Sequence, residues 1–162
     1  MPVHYNRVMT VSELMTAAAV TDAPDDTLAE ASARMWQQQT GSLLIMEGEK
    51  LHGILTERDV LRVVAEGKDP KATTVREIMT TELVTVSPDE SIKGAAEIMF
   101  AKWFRHLPVV TDDGKVVGIL SLRDLLSLVA EGMDEPDALE RLTGHKLARD
   151  VRLERVEAGD LD

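Results

Sequence analysis

The chain has 162 residues, 44% of them hydrophobic, enough for one compact domain or two small halves packed together. Its 29 Asp and Glu against 18 Lys and Arg leave a net charge of -11, which excludes a broad basic footprint for DNA or RNA but allows a small anionic ligand at a local basic cluster. There is no Cys, hence no disulfide or thiolate metal site; no apolar run approaches the roughly 18 residues of a membrane span, and Met1 to Arg7 lacks a signal-peptide layout, so a soluble cytoplasmic protein is expected.

The first predicted element is a short helical turn, Val11-Ser12-Glu13-Leu14-Met15-Thr16, leading to a strand over Ala19 to Asp22. Pro24-Asp25 then opens an amphipathic helix with Leu28, Ala31 and Met35 on one face. Two apolar runs, Leu43 to Met46 and Leu51 to Leu55, flank Glu47-Gly48-Glu49 as a hairpin. A second helix, Arg58 to Ala65, is dense in Val and Leu and ends at Gly67. The polar residues 67–74 read as a linker.

From there the order starts again. Val75-Arg76-Glu77-Ile78-Met79-Thr80 repeats the opening turn at an offset of 64 residues, and the register holds through Val20 and Val84, Pro24-Asp25 and Pro88-Asp89, Ala31 and Ala95, and Met35 and Met99. A strand over Leu83 to Val86 is expected next, then a helix carrying Ile92, Ala95, Ala96, Met99 and Trp103 on one face. Leu107 to Val110 and Val116 to Leu120 form the second hairpin around Asp112-Asp113-Gly114, where one extra residue moves the offset to 65. The last helix of this copy runs from Leu122 to Ala130 and stops at Gly132. Each copy reads β-α-β-β-α, an α/β (α+β) fold. One copy alone would bury a meagre core, so the two are expected to pack together. The expected organisation is repeat 1 over 8–66, linker 67–74, repeat 2 over 75–132 and a C-terminal extension over 133–162. Within the extension Pro136 to Leu142 can start a short helix that Gly144 would stop; it could cap the domain, mediate dimerisation or lie disordered.

Chemistry concentrates at two strand-to-helix junctions, Gly53-Ile54-Leu55-Thr56-Glu57-Arg58-Asp59 and Gly118-Ile119-Leu120-Ser121-Leu122-Arg123-Asp124. A helix start offers unpaired N–H groups and a positive dipole end to an anion, and a carboxylate there can accept from a vicinal diol. The same Ser/Thr-x-x-Asp spacing is also a capping box, worth ~1 kcal/mol without any ligand. Both roles can coexist. The four His (4, 52, 106 and 145) share no metal-ligand spacing, and no nucleophile or acid–base pair is readable, so an enzyme is not expected. Met15 and Met79 are expected to fill the core at the interface between the copies, and Trp36 and Trp103 to pack rather than stack on a base.

In order and spacing these motifs, together with Arg105-His106-Leu107-Pro108-Val109-Val110, resemble the tandem cystathionine beta-synthase (CBS) domain pair, or Bateman module, over roughly residues 8–132. The resemblance implies two repeats arranged as a pseudo-twofold pair, a homodimer, and clefts between repeats that bind AMP, ADP, ATP or other adenosyl ligands. The nucleotide would be a regulatory ligand acting on an unidentified partner protein, with no resident cofactor and Mg²⁺ arriving only with the phosphates of ATP. Carried over residue by residue, Asp124 would bind ribose and Ser121 phosphate, with Thr85, Val86, Arg105, His106, Leu107 and Pro108 around the adenine and phosphate, and Arg123 and Lys102 adding charge. A weaker first-repeat site would use Thr21, Ser42, Thr56, Arg58 and Asp59. There Gly41 and Ser42 replace Arg105 and His106, and Asp22 replaces Val86. The rival expectation is a ligand-free dimerisation scaffold in which both junctions only cap helices.

Overall fold

A computed structural model describes residues 8–17 and 19–130; the expected extension over 133–162 and the stop at Gly132 lie outside them. After a 3-10 turn at Val11–Glu13 come β1 (Thr21–Asp22), α1 (Leu28–Gln38), β2 (Ser42–Glu47), β3 (Lys50–Thr56) and α2 (Glu57–Ala65). Then follow α3 (Val75–Ile78), α4 (Ile92–Lys102), β4 (His106–Val110), β5 (Val116–Ser121) and α5 (Leu122–Ala130). Local sequence accounts for the boundaries. Thr27 starts α1 by accepting from Glu30 N at 3.2 Å while Glu30 reaches back to Thr27 N at 2.9 Å, and Ser91 accepts from Gly94 N at 3.0 Å to start α4. Gly67, at φ 68°, ends α2 with Gly67 N donating to Val64 O and Lys68 N to Val63 O, both 3.1 Å, the Schellman pattern. Gly48 and Gly114 supply the positive φ of the two hairpin turns.

The described chain folds as two compact units. The first comprises residues 17–85 and 110–118, the second 8–16, 86–109 and 119–130. In the first, β1 pairs parallel with β2 and β2 antiparallel with β3, and α1 and α2 close a core of Leu28, Ala31, Met35, Leu43, Ile45, Leu55, Val63, Val75 and Ile78. Met79 packs on this core, half-buried. The second unit buries the equivalent positions Val11, Ile92, Ala95, Met99, Leu107, Val109 and Leu120, and adds Leu125, the counterpart of the half-buried Val60.

Each unit borrows the lead-in turn of the other sequence repeat. Val11 N donates to Glu90 O at 2.8 Å, Ser12 N to Pro88 O at 2.9 Å, and Thr16 and Ile119 exchange backbone bonds at 2.9 and 3.0 Å, all within the second unit. The first unit repeats this wiring with Val75 N to Asp26 O at 2.9 Å, Arg76 N to Pro24 O at 2.8 Å, and Ile54 exchanging two bonds of 3.0 Å with Thr80. The sequence repeats are contiguous; the compact units are not. Residues 67–74 take part as well. Pro70 O and Thr73 O accept from Ala29 N and Leu28 N at 3.0 and 2.8 Å, using N–H groups that the start of α1 leaves over.

Two expectations need correction. The strand over Leu83 to Val86 reduces to one parallel bridge, Val86 with Val109. In the first unit Leu44 N donates to Val20 O at 3.0 Å and extends the pairing, whereas Leu44's counterpart is Pro108, which has no N–H to donate. Trp36 does not pack: it is 85% exposed on α1, beside the buried Met35. Trp103 is half-buried and caps α4 with φ 59°. Close packing of the borrowed turn is testable at Gly53, where an added Cβ would lie 2.7 Å from Met79 Sδ and 2.8 Å from Thr80 O. Gly53→Ala is expected to lower the unfolding free energy by about 1–3 kcal/mol in urea denaturation, because the backbone carbonyl cannot swing away.

Candidate functional site

Eight of the nine residues singled out in the second repeat lie in the second unit, where two backbone bonds bring their segments together. Val86 N donates to Pro108 O at 3.0 Å, placing 86 beside the start of β4, and Leu122 N donates to Arg105 O at 2.9 Å, placing the first turn of α5 beside the residue that precedes β4. His106 and Leu107 continue β4, with Leu107, Pro108 and Val86 buried, His106 half-buried and Arg105 exposed. Ser121 and Asp124 sit at the β5–α5 junction, both half-buried, with Arg123 exposed between them. Thr85 is exposed and belongs to the first unit.

The capping role is fully realised. Ser121 N and Ser121 Oγ both donate to Asp124 Oδ2 at 2.7 Å, and Ser121 Oγ accepts from Asp124 N at 3.2 Å. The hydroxyl proton expected for phosphate is therefore committed to Asp124, and the Leu122 N–H to Arg105. What remains open is the other carboxylate oxygen: no hydrogen bond or ion pair among the described residues engages Asp124 Oδ1.

The first-repeat junction has the same cap and a different second half. Thr56 N and Thr56 Oγ1 donate to Asp59 Oδ2 at 2.8 Å, but Asp59 Oδ1 accepts from Arg62 Nη2 at 3.3 Å, and the same nitrogen reaches Ile78 O at 3.2 Å. Arg62 was not singled out from the sequence; the 65-residue offset pairs it with Ser127, whose hydroxyl instead donates to Asp124 O at 2.6 Å. Asp22, the counterpart of Val86, is buried in β1 and bonded to Arg34 Nη1, which also lies 3.5 Å from Asp26 Oδ2. Burial pushes the Asp22 carboxyl above the usual carboxylate range, and the neighbouring Asp22 carboxyl holds that of the half-buried Asp26 lower. Arg34 likewise aligns with an apolar residue, Ile98. Ser42 is buried in β2 with its Oγ unpaired, Thr56 is half-buried, and Thr21 and Arg58 are exposed.

Among the described residues no group of three His, Asp or Glu is placed to hold a metal ion, and no helix is long and apolar enough to cross a membrane. Comparison with known proteins bears on what this junction is. The family model of the CBS domain matches twice, over residues 11–66 and 75–131. A CBS domain-containing protein of Bacillus subtilis, YhcV, is 40% identical over 116 residues, 71% of this chain and 81% of that protein. A protein of Methanopyrus kandleri is 36% identical over 75% of this chain, which spans 63% of that protein's length. The crystal structure of the CBS domain protein NE2398 shares 38% identity at a TM-score of 0.72, covering 76% of this chain and 99% of that one. PAE2072 from Pyrobaculum aerophilum, solved in complex with AMP, shares 27% identity at 0.70 over 83% and 98%. The CBS domain pair of MJ0100, solved with 5'-methylthioadenosine and S-adenosylmethionine, shares 28% at 0.71 over 77% and 98%.

Proposed function

The chain belongs to the CBS-domain family as a tandem pair, and from that premise we propose that it is a regulatory module, not an enzyme, that binds an adenine nucleotide at the β5–α5 junction and passes the bound state to a partner protein. The observation that carries this reading is the open Oδ1 of Asp124. Its carboxylate is oriented by Ser121, carries one uncommitted acceptor, and stands at a helix start whose backbone is tied to Arg105. A vicinal diol can donate to that oxygen, and a ribose has one. Arg105, Arg123 and His106 bring cations and an imidazole to the same unit for phosphate, beside the buried Val86, Leu107 and Pro108 that fix the start of β4. The AMP bound by the Pyrobaculum aerophilum relative supports the ligand class. Mg²⁺ would enter only as a companion of a triphosphate.

Regulation follows if the nucleotide binds two arrangements of the protein with different affinity, since a ligand shifts an equilibrium only by that difference. Calorimetric titration with AMP, ADP, ATP and S-adenosylmethionine tests the reading. Saturable binding of at least one adenine nucleotide is expected; flat titrations at millimolar ligand would leave the capping boxes as the junctions' only role and favour the ligand-free scaffold.

Self-association fits the exposed apolar positions. Leu61 and Val64 on α2 are 67% and 60% exposed, and Leu126, the counterpart of Leu61 on α5, is 50% exposed. The same position left uncovered in both repeats suits a symmetric dimer that buries it against a second copy. Leu61→Glu combined with Leu126→Glu is expected to convert the dimer to monomer in light scattering, with the far-UV circular dichroism unchanged; an unaltered mass would remove these helices from the interface.

A further inference from the structure

We infer that the first repeat is a self-occupied counterpart of the second-repeat site, closed by the guanidinium groups of Arg34 and Arg62, so that each chain takes a single nucleotide and these two arginines set that number. The inference rests on the reading above and goes beyond it by naming what excludes the ligand. Three substitutions between the repeats converge on it. At the first junction Arg62 occupies Asp59 Oδ1, the oxygen whose equivalent on Asp124 is open, and a second bond from the same nitrogen to Ile78 O holds Arg62 in place. The position of Arg62 is Ser127 in the second repeat, too short to reach that oxygen and turned instead to the Asp124 carbonyl.

The other two substitutions act as a pair. Where the second repeat has Val86 and Ile98, the first has Asp22 and Arg34, ion-paired to each other with Asp26 alongside. A lone buried carboxylate at position 22 would be costly; Asp22 and Arg34 together replace two apolar residues by a partly buried salt bridge. A ligand approaching this position of the first repeat would meet a guanidinium already held by a carboxylate, where the second repeat has only apolar side chains. The pairing is imperfect in a way that fits an evolved replacement: Asp22 Oδ2 and Ser42 Oγ stay buried without partners. Nor does the first repeat offer a phosphate cation at the start of β2, since Gly41 and Ser42 stand where Arg105 and His106 stand in the second.

The experiment is calorimetric titration of the full chain with AMP, read for stoichiometry as well as affinity. One AMP per chain is expected for the natural protein, with Asp59→Ala changing the Kd less than twofold. Two AMP per chain, or a tenfold loss in Asp59→Ala, would overturn the inference and leave the nucleotide reading standing; no binding at all would overturn both. A triple variant, Asp22→Val with Arg34→Ile and Arg62→Ser, gives the first repeat the second repeat's residues and is expected to raise the stoichiometry toward two, with a second and weaker event. If that variant fails to fold, Arg62→Ser alone is read, with the weak second event expected to be detectable in protein-observed NMR as shifts at residues 53–59. A folded variant that still takes one AMP, with no such shifts, would show that the arginines do not set the number.

Discussion

Asp124→Asn is expected to cost at least tenfold in AMP affinity while leaving the fold within about 0.5 kcal/mol of the natural protein's stability. The two effects separate because the two carboxylate oxygens do different work. Oδ2 accepts from Ser121 N and Ser121 Oγ, and an asparagine can keep its carbonyl there, since an N–H faces it and demands an acceptor. The amide nitrogen then falls where Oδ1 was, turning the open acceptor into a donor and removing the negative charge. A hydrogen bond to a charged group contributes about 1.5–3 kcal/mol, so losing it from a ribose and replacing it with a donor facing a donor accounts for a tenfold effect or more. Asp124→Ala would lose binding too, but would also remove the cap, and so cannot distinguish the roles. The readout is paired calorimetry and urea denaturation. Equal affinity in Asp124→Asn would mean that the carboxylate only caps α5.

Val11→Asp is expected to be among the most destabilising single changes in the chain, by several kcal/mol, and its damage should fall on the second unit although residue 11 belongs to the first sequence repeat. Val11 is fully buried, and its N–H bonds to Glu90 in the second unit. A carboxylate there has no cation provided for it, and a loss of that size is a large share of a typical stability of about 5–15 kcal/mol. Hydrogen exchange read by mass spectrometry would locate the effect: protection should fall first in 86–109 and 119–130 for Val11→Asp, and in 19–85 for Val75→Asp, whose side chain lies in the first unit's core. If each variant instead loosened its own sequence repeat, the exchange of lead-in turns would be wrong.

How far the fold was legible depends on whether a feature is set by neighbours along the chain. The helix faces at Leu28, Ala31 and Met35 and at Ile92, Ala95 and Met99 were readable because a 3.6-residue period states which side is buried. The hairpins were readable from Gly48 and Gly114, since a tight turn needs the positive φ that glycine adopts freely. The strand expected at Leu83 to Val86 failed because its pairing depends on a distant residue, and that residue is a proline. Trp36 shows the limit of composition: a large aromatic side chain is expected inside, yet it follows Met35 on α1 by one residue, and one residue is a turn of 100° away from the core.

By itself the sequence determined the duplication, the helices, the hairpins, the capping boxes at the two junctions and the family they resemble, because all of these are carried by spacing. Asp124 and Asp59 could even be matched as equivalent. Only the tertiary structure decided that they are unlike, since Arg62 and Arg34 lie three residues after one partner carboxylate and twelve after the other, and nothing in the spacing says that a guanidinium turns back onto a carboxylate rather than out to water. It also decided which lead-in turn completes which unit. A short apolar turn fits either of two nearly identical surfaces, and the choice is made by long-range packing and backbone pairing, information that a local pattern does not contain.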